Sequence, residues 1–278
     1  MSDSSGTAAL RSAQAYHDWV VHWQFRPWTA VLLAEAALRP GERVLDLATG
    51  TGIVAHEVAP LVGTHGQVLA VDVNPAMLAV AQTVPAPPGA AIDWREGDAS
   101  DLPLPNASID VVLCQQGLQY FPDRPAAVAE VRRVLAPGGR AVFAVWRSLE
   151  HNPVQMALNA AAQRHLGVPA MAMPFSLGDT GAVQTLFEIA GFAEVAITSR
   201  MLVVVFPSRA QYVHRNIESL SAVVPQLGAM DGAERTALAR TIDEEAGAVL
   251  GSHAWGHGIA IPMSAHLIRG VKPDTGEF

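Results

Sequence analysis

The sequence of this 278-residue chain predicts an α/β fold, in which a largely parallel sheet carries helices on both faces. From Arg43 onward, short apolar runs alternate with helix-like segments, as expected for strands joined by crossover helices. The first of these runs leads directly into a glycine-bearing turn, and the second ends in an aspartate. A strand, a glycine turn and an acidic residue at the next strand end are typical of a βαβ unit that binds a nucleoside.

The strands and helices of the first half follow from apolar runs bounded by turn-forming residues. The predicted strands are Arg43–Leu47, Gln67–Asp72, Ala91–Glu96, Ile109–Gln115 and Gly139–Trp146. Helices are predicted over 52–62, 75–82 and 125–135, the second of them capped by Asn74 and begun by Pro75. The turn Pro137-Gly138-Gly139 should then deliver the fifth strand.

The second half of the chain has a looser pattern, which predicts fewer strands and more helices. The predicted elements are helices at His151–Leu166 and Gly181–Ala190, a strand at Val195–Phe206, two or three helices between Arg209 and Leu250, and a strand at Gly258–Leu267.

Composition and charge exclude several classes of function. The formal net charge is −8 and lysine is nearly absent, so we expect no nucleic acid partner. No apolar run is long enough to span a bilayer, and Met1–Ala9 lacks the order of a secretory signal, so we expect a cytoplasmic protein. The single cysteine, Cys114, lies in a predicted core strand, which leaves no disulfide framework or thiolate metal site.

The glycine turn and two aspartates carry the chemical prediction. Gly50 and Gly52 allow the backbone to turn sharply and to approach a ligand closely. Asp46, at the end of the first strand, is expected to orient this turn. Asp72, at the end of the second strand, is suited to accept hydrogen bonds from the two hydroxyls of a ribose.

The series Val44–Gly52, followed by Ala70–Leu78 and Glu96–Ala99, resembles the class I S-adenosylmethionine-dependent methyltransferases. The segment Leu135–Arg140 resembles their ubiquinone and small-molecule branch, and the resemblance extends over Gly41 to Trp146. It implies a Rossmann-like sheet of about seven strands, mostly parallel with an antiparallel last strand. It also implies S-adenosyl-L-methionine as cofactor, with the methyl group transferred to an oxygen, nitrogen or carbon atom of a small, largely apolar molecule.

The resemblance also assigns residues to the cofactor. The turn residues Ala48 and Thr49 would face its amino-acid part, although the family usually has glycine in place of Ala48. Further contacts are predicted for residues at later strand ends and in the N-terminal segment. These are Val73 and Met77 beside the adenine, Gly97, Asp98 and Ala99 at the third strand end, Gln115 and Gln116 near the sulfonium, and Phe25 and Trp28.

The acceptor side is expected to be built from segments outside the cofactor-binding core. We predict a single domain over 1–278, with the core at 41–147 and lid or substrate segments at 10–30, 148–178 and 207–256. The first of these segments is rich in aromatic residues, which suit either a flat, apolar acceptor or a helix docked on the core. A small-molecule methyl acceptor is the expected partner, and a homodimer is left open.

Methyl transfer from a sulfonium needs a general base only for a weakly acidic acceptor. Histidine is the residue type best suited to that role, and the topology favours His257, His253 and His151, although capping or surface roles also explain each of them. No metal is expected, because His253, His257 and His266 lack a carboxylate at ligand spacing.

Two other functions share parts of this pattern. A nicotinamide-dependent oxidoreductase would normally carry a third glycine where Ile53-Val54-Ala55 stand here. A non-catalytic protein that retains the S-adenosylmethionine pocket is the other alternative, and turnover assays would distinguish it from an enzyme.

Overall fold

The computed structural model describes residues 3–221 and 223–274 of the chain. Its strands include the five that the first half of the sequence predicts. The strands are β1 (Arg43–Leu47), β2 (Gln67–Asp72), β3 (Ile92–Glu96), β4 (Ile109–Gln115), β5 (Leu135–Trp146), β6 (Ala193–Phe206), β7 (Ala254–Trp255) and β8 (Gly258–Val271). Alternating apolar runs with clear turn boundaries explain why β1, β2 and β4 have the predicted limits.

Helices connect these strands and fill the C-terminal half. They are α1 (Asp3–Tyr16), α2 (Arg26–Ala36), α3 (Ile53–Val62), α4 (Pro75–Ala81), α5 (Arg124–Val134), α6 (Pro153–Leu166), α7 (Thr180–Ile189), α8 (Arg209–Leu220), α9 (Pro225–Gly228), α10 (Gly232–Glu245) and α11 (Gly247–Ser252). A π-helical segment, His17–Phe25, joins α1 to α2. The predicted cap of α4 is confirmed, since the Asn74 side chain accepts a hydrogen bond from the Ala76 amide at 3.0 Å.

The strands form one sheet in the order β3-β2-β1-β4-β5-β8-β6, with β7 paired to β8. Pairing is parallel from β3 to β5, and the C-terminal strands are antiparallel. The predicted α/β class and Rossmann-like order are therefore confirmed. The sheet has eight strands rather than seven because Ala254–Trp255 adds a short antiparallel pairing with β8.

Two boundaries differ from the predictions for local reasons. β5 begins at Leu135 rather than Gly139, because a register shift opposite Ile109 and Val111 absorbs the glycine turn. Gly138 takes φ +72° within this irregularity, so a residue expected in a turn lies inside the strand. Among the described residues from Arg209 to Ser252 there are four helices, where two or three were predicted between Arg209 and Leu250.

The chain forms two compact units. The first comprises the described residues of Met1–Val145, Asp179–Arg200 and His266–Phe278, and the second comprises those of Trp146–Gly178 and Met201–Ala265. Two of the predicted lid segments, 148–178 and 207–256, belong to the second unit, whereas 10–30 belongs to the first. The single-domain description with lids stays a prediction. Among the described residues, no helix is both long and apolar enough to cross a membrane.

A buried cluster fixes the position of the glycine turn in the first unit. Apolar side chains of α2 and α3 pack against one face of the parallel strands. The cluster includes Leu32, Ala36, Val44, Val54, Ala55, Val58, Ala59, Val62, Val68, Ala70, Val111, Leu113, Val142 and Ala144. Since α3 begins immediately after the turn, its burial holds the turn against the carboxyl ends of the strands.

Candidate functional site

A cavity opens at the carboxyl ends of β1 and β4, within the first unit. It encloses about 340 Å³ of space, part of it open to solvent. The lining residues come from the N-terminal helical segment, the glycine turn and the adjoining strands. They are Tyr16, Val21, Phe25, Asp46, Ala48, Thr49, Gly50, Thr51, Ile53, Val54 and Gln115.

The turn after β1 has the left-handed backbone that its glycines predict. Gly50 and Gly52 have φ of +56° and +85°. A Cβ atom on Gly52 would lie 2.5 Å from the Trp94 ring, so this position requires glycine for space as well as for conformation. Ala48 has φ +57°, so the alanine that replaces the usual family glycine is held in a strained conformation.

Asp46 lies beneath this turn and is 1% exposed. Its Oδ2 accepts hydrogen bonds from Thr49 Oγ1 at 2.5 Å and from the Ala55 amide at 2.9 Å. Burial raises the pKa of Asp46 to about 7, against the opposing effect of these two hydrogen bonds. The predicted role of orienting the turn is thus visible in its contacts.

Asp72 stands at the end of β2, directly beside the turn. Its two carboxylate oxygens accept hydrogen bonds from the Gly50 amide at 2.7 Å and from the Asn74 amide at 2.9 Å. Each oxygen retains a further lone pair, which suits it to two neighbouring hydroxyl donors. Burial raises the pKa of Asp72 although these backbone bonds favour its charged form.

Gln115 closes the opposite side of the cavity at the end of β4. Its Nε2 donates a hydrogen bond to the Phe25 carbonyl at 3.1 Å, which ties the π-helical segment to the sheet. Its Oε1 is buried, and no described residue donates a hydrogen bond to it. An acceptor left in this state is suited to a ligand donor or to a cation.

The comparisons with known proteins agree with this geometry. Residues 44–139 match a family model described as a methyltransferase domain. The match lies within the predicted core at 41–147. The resemblance of the sequence to this family is therefore confirmed for the core.

The relatives of this chain include quinone methyltransferases. A 2-phytyl-1,4-naphtoquinone methyltransferase of Synechococcus elongatus is 38% identical over 152 residues, which are 53% of this chain and 64% of that protein. The ubiquinone/menaquinone biosynthesis C-methyltransferase UbiE of Ralstonia pickettii is 39% identical over 129 residues, 45% of this chain and 53% of that protein. The chain thus spans between half and two thirds of the length of these curated relatives.

The fold is shared over a longer range than the sequence. The crystal structure of the YcgJ protein of Bacillus subtilis superposes with a TM-score of 0.58 at 21% identity. The superposition covers 89% of this chain and 98% of that one. At this identity the likeness concerns the fold alone.

The cavity fits S-adenosylmethionine, the cofactor of the family that residues 44–139 match. Two observations support the fit. Gly50 lines the cavity and has open space where a Cβ would stand, so bare backbone faces the cavity there. The buried Gln115 Oε1 is an acceptor that still needs a partner. Asp46 and Asp72 would hold the two polar ends of the cofactor from adjacent strands.

The predicted adenine contacts follow β2 and β3, which pair in parallel up to Asp72 and Glu96. Val73 is 68% exposed, Met77 is half-buried and Ala99 is buried. Asp98 accepts hydrogen bonds from the amide and hydroxyl of Ser100, and these lower its pKa. None of the four, nor Gly97, lines the described cavity, and their roles stay predictions.

The predicted N-terminal contacts divide into two groups. Phe25 lines the cavity and packs against Tyr16, with the ring centroids 6.0 Å apart. Trp28 is fully buried in the core and is not among the lining residues. Gln116, also outside the lining, is 5% exposed with φ +56°, and its Oε1 accepts from Gln119 Nε2 at 3.0 Å. The cofactor roles of Trp28 and Gln116 stay predictions.

The candidate bases lie outside the unit that holds the cavity. His151 ends a 3₁₀ segment and is exposed, His253 is half-buried, and His257 is exposed in the turn between β7 and β8. All three belong to the second unit, and their catalytic role stays a prediction. Within the described residues, no group of three or more His, Cys, Asp or Glu side chains could hold a metal ion.

Sequence reasoning missed several residues at the cavity. Val21, Thr51, Ile53 and Val54 line it, whereas Tyr16, also in the lining, belongs to the aromatic segment that was expected to close the pocket. The position of Tyr16 nine residues before Phe25 gave a signal, since both belong to the aromatic N-terminal segment. A further histidine, His17, lies next to the cavity wall, with Nδ1 2.8 Å from Thr51 Oγ1, and burial lowers its pKa.

Proposed function

We propose that this chain is an S-adenosylmethionine-dependent methyltransferase that acts on a small, largely apolar molecule. The observation that carries the proposal is the placement of Asp46 and Asp72 at adjacent strand ends, on either side of a glycine turn that walls a cavity. When bound, the cofactor supplies an electrophilic methyl group on a sulfonium. The residues of the chain then supply position and shelter from water.

Each end of the cofactor has its own set of residues in this proposal. Asp72 accepts hydrogen bonds from the ribose hydroxyls, while Asp46 and the turn residues Thr49 and Gly50 hold the amino-acid part. Val73, Met77, Asp98 and Ala99 surround the adenine. Gln115, with its buried oxygen, faces the sulfonium.

The acceptor class rests on the relatives and on the composition of the lids. One relative is named as a 2-phytyl-1,4-naphtoquinone methyltransferase and another as a C-methyltransferase of ubiquinone/menaquinone biosynthesis. Aromatic side chains of the N-terminal segment, including Tyr16 and Phe25, line the cavity and suit a flat, apolar acceptor. The acceptor atom is oxygen, nitrogen or carbon. Where its acidity requires a base, His257, His253 and His151 are the candidates.

The protein's setting forms part of the same proposal. The single cysteine, Cys114, is buried, and burial raises its pKa to about 12, so it is an inert core thiol suited to a reducing compartment. We place the protein in the cytoplasm as a possible homodimer that handles a small molecule.

Binding of the cofactor is the first test. Isothermal titration calorimetry with S-adenosylhomocysteine should give a dissociation constant that Asp72→Ala weakens by about tenfold or more, the loss of one charge-assisted contact. Asp93→Ala is the matched control, because Asp93 is an exposed aspartate on β3 paired with Arg95. No binding to the wild type, or equal affinity in Asp72→Ala, would contradict the proposed site.

Turnover is the second test. Transfer of a labelled methyl group from S-adenosylmethionine should be assayed against a panel of quinones, phenols and amines. Transfer to at least one of them supports an enzyme. Tight cofactor binding without transfer to any of them favours the non-catalytic alternative. The nicotinamide alternative is disfavoured because Ile53 and Val54 stand where a dinucleotide site normally has a further glycine.

A further inference from the structure

The π-helical segment His17–Phe25 forms part of the cavity wall, within the first unit. Tyr16, which directly precedes the segment, and Val21 and Phe25 within it all line the cavity. These three residues are spaced five and four positions apart. A π-helix bonds each residue to the one five positions away, so residues at this spacing share a face, whereas three or four positions separate neighbours on an α-helix. The π conformation therefore brings all three to the cavity.

The π-helical segment is tied to the rest of the first unit at both of its ends. At its first residue, His17 Nδ1 lies 2.8 Å from Thr51 Oγ1 in the glycine turn. At its last residue, the Phe25 carbonyl accepts the hydrogen bond from Gln115 Nε2 at 3.1 Å. Val21, between the two ends, is 3% exposed. Only the first of these two hydrogen bonds involves a titratable side chain, so it is the one that pH can change.

The burial of Thr51 determines which group donates in the contact with His17. Thr51 lines the cavity and is 1% exposed. Among the described residues, its hydroxyl has no other hydrogen-bonding partner. A buried hydroxyl proton without an acceptor is costly. The donor is therefore Thr51 Oγ1, and the acceptor is Nδ1 of a neutral His17 ring that carries its proton on Nε2.

The surroundings of His17 favour this neutral form. Burial of the ring lowers the pKa of His17 below its ordinary value of 6.5. The adjacent Asp18 opposes this shift of the pKa. Positive charge on Arg26 of α2 adds to the shift, and so does positive charge on His56 of α3 and on His22 of the segment itself. The ring is therefore mainly neutral at pH 7 and takes up its proton only at lower pH.

We propose that His17 is a positioning residue of the cavity: its hydrogen bond with Thr51 holds the π-helical segment against the glycine turn, and protonation of the ring releases this end of the segment. A protonated ring has no acceptor nitrogen, so the Thr51 hydroxyl loses its partner. Since the docked ring resists a proton that the released ring accepts, docking weakens as the pH falls below 6.5. Tyr16 adjoins His17, so release displaces part of the cavity wall. The consequence for the cofactor rests on the proposed function, whereas the docking of the segment does not.

Hydrogen exchange of the chain without cofactor tests the docking alone. Protection of amides 17–25, corrected for the intrinsic rate at each pH, should fall by about threefold or more from about pH 7 to about pH 5 in the wild type. His17→Asn should keep the protection and lose its pH dependence, because an amide oxygen accepts from Thr51 but does not titrate. His17→Phe should exchange faster than the wild type at pH 7. His22→Asn is the matched control, since His22 is an exposed histidine of the same segment.

Thr51 provides a second pair of variants for the same measurement. Thr51→Val removes the donor and should reproduce the faster exchange of His17→Phe, whereas Thr51→Ser keeps a hydroxyl and should retain the protection of the wild type. Circular dichroism checks that each variant is folded. Wild-type protection that does not change between the two pH values overturns the proposal, as does protection that both His17→Phe and Thr51→Val leave intact.

Calorimetry with S-adenosylhomocysteine tests the consequence for the cofactor, in an Asp46→Asn background where that carboxyl no longer titrates. From about pH 6 to about pH 5, affinity should fall about threefold more with His17 than with His17→Asn. The Asp72 carboxyl is present in both proteins, so the difference reports on His17. An equal fall in both proteins overturns the positioning role. pH-dependent protection of the segment in a wild type that binds no S-adenosylhomocysteine would support the contact between His17 and Thr51 and count against the proposed function.

Discussion

At the glycine turn, one residue that is not glycine adopts a left-handed backbone conformation. Ala48 has φ +57°, a region that costs an L-residue about 1–2 kcal/mol. Ala48→Gly should therefore raise the free energy of unfolding by about 1 kcal/mol, because glycine takes this conformation without strain and loses only part of that gain to unfolded-state entropy. Urea denaturation followed by circular dichroism measures the change.

Ala37 provides the matched control for Ala48. It has φ +46° at the end of α2, and it does not line the cavity. Ala37→Gly should stabilise the chain by a similar amount without changing affinity for S-adenosylhomocysteine. Destabilisation of the chain by Ala48→Gly would show that the methyl group contributes more by packing than it costs in backbone strain.

Asp46 makes cofactor binding sensitive to pH. Burial raises its pKa to about 7, so near neutral pH the folded chain holds a proton that the unfolded chain has lost. The contribution of Asp46 to stability therefore falls as the pH rises from the ordinary carboxyl range to about 7. The cofactor's ammonium should favour the carboxylate form, so its binding should strengthen from about pH 6 to pH 8 and should release a proton.

Calorimetry in two buffers of different ionisation enthalpy measures that proton. Asp46→Asn should remove both the proton release and the pH dependence between about pH 6 and pH 8, even where its overall affinity is lower. A wild-type affinity that is constant over this range would refute the link between Asp46 and the ammonium.

At the scale of elements, the two glycines of the turn that leads into α3 should differ in how well they tolerate substitution by alanine. Gly52→Ala combines a strained φ of +85° with a Cβ only 2.5 Å from Trp94, so we expect a loss of about 2–4 kcal/mol in stability. Gly50→Ala meets nothing within 4 Å and should cost only about 1 kcal/mol, although it places a methyl group at the cavity wall.

The two glycine variants separate packing from binding. Thermal unfolding should rank Gly52→Ala well below Gly50→Ala, and the double variant Gly52→Ala with Trp94→Ala should recover part of the lost melting temperature. For the folded Gly50→Ala variant, affinity for S-adenosylhomocysteine should fall while stability changes little. Equal stability losses in the two variants would show that the Trp94 contact does not matter.

At the scale of the whole molecule, strand limits could be predicted where the apolar pattern of the segment alone determines where the strand begins and ends. β2 and β4 have the predicted limits because each is an apolar run closed by a polar residue, and β1 has them because its apolar run leads into the glycine turn. The start of β5 was missed because a register shift, which depends on the partner strand β4, absorbs Gly138. The two-residue β7 is too short for any periodic signal.

The residues of the site also fall into those that local pattern predicts and those that depend on tertiary packing. Asp46 and Asp72 could be predicted because parallel strand ends share one edge of a sheet. Tyr16 and Val21 reach the cavity through the packing of the N-terminal helical segment, which no spacing rule determines. The strain at Gln116 was also hidden, since glutamine does not signal a positive φ, whereas the glycine usual in the family at position 48 did point to one.

The division into two units gives a prediction for the distribution of stability. All residues that line the cavity belong to the first unit, so a ligand bound there should stabilise that unit directly. At a free concentration one hundred times its dissociation constant, S-adenosylhomocysteine should raise the free energy of unfolding by about 2.7 kcal/mol. The most protected amides should then exchange about a hundredfold more slowly. Hydrogen exchange should show this slowing in β1, β2 and β4 and a much smaller effect in α8 and α10. Slowing confined to α8 and α10 would place the ligand in the second unit and contradict the site proposed here.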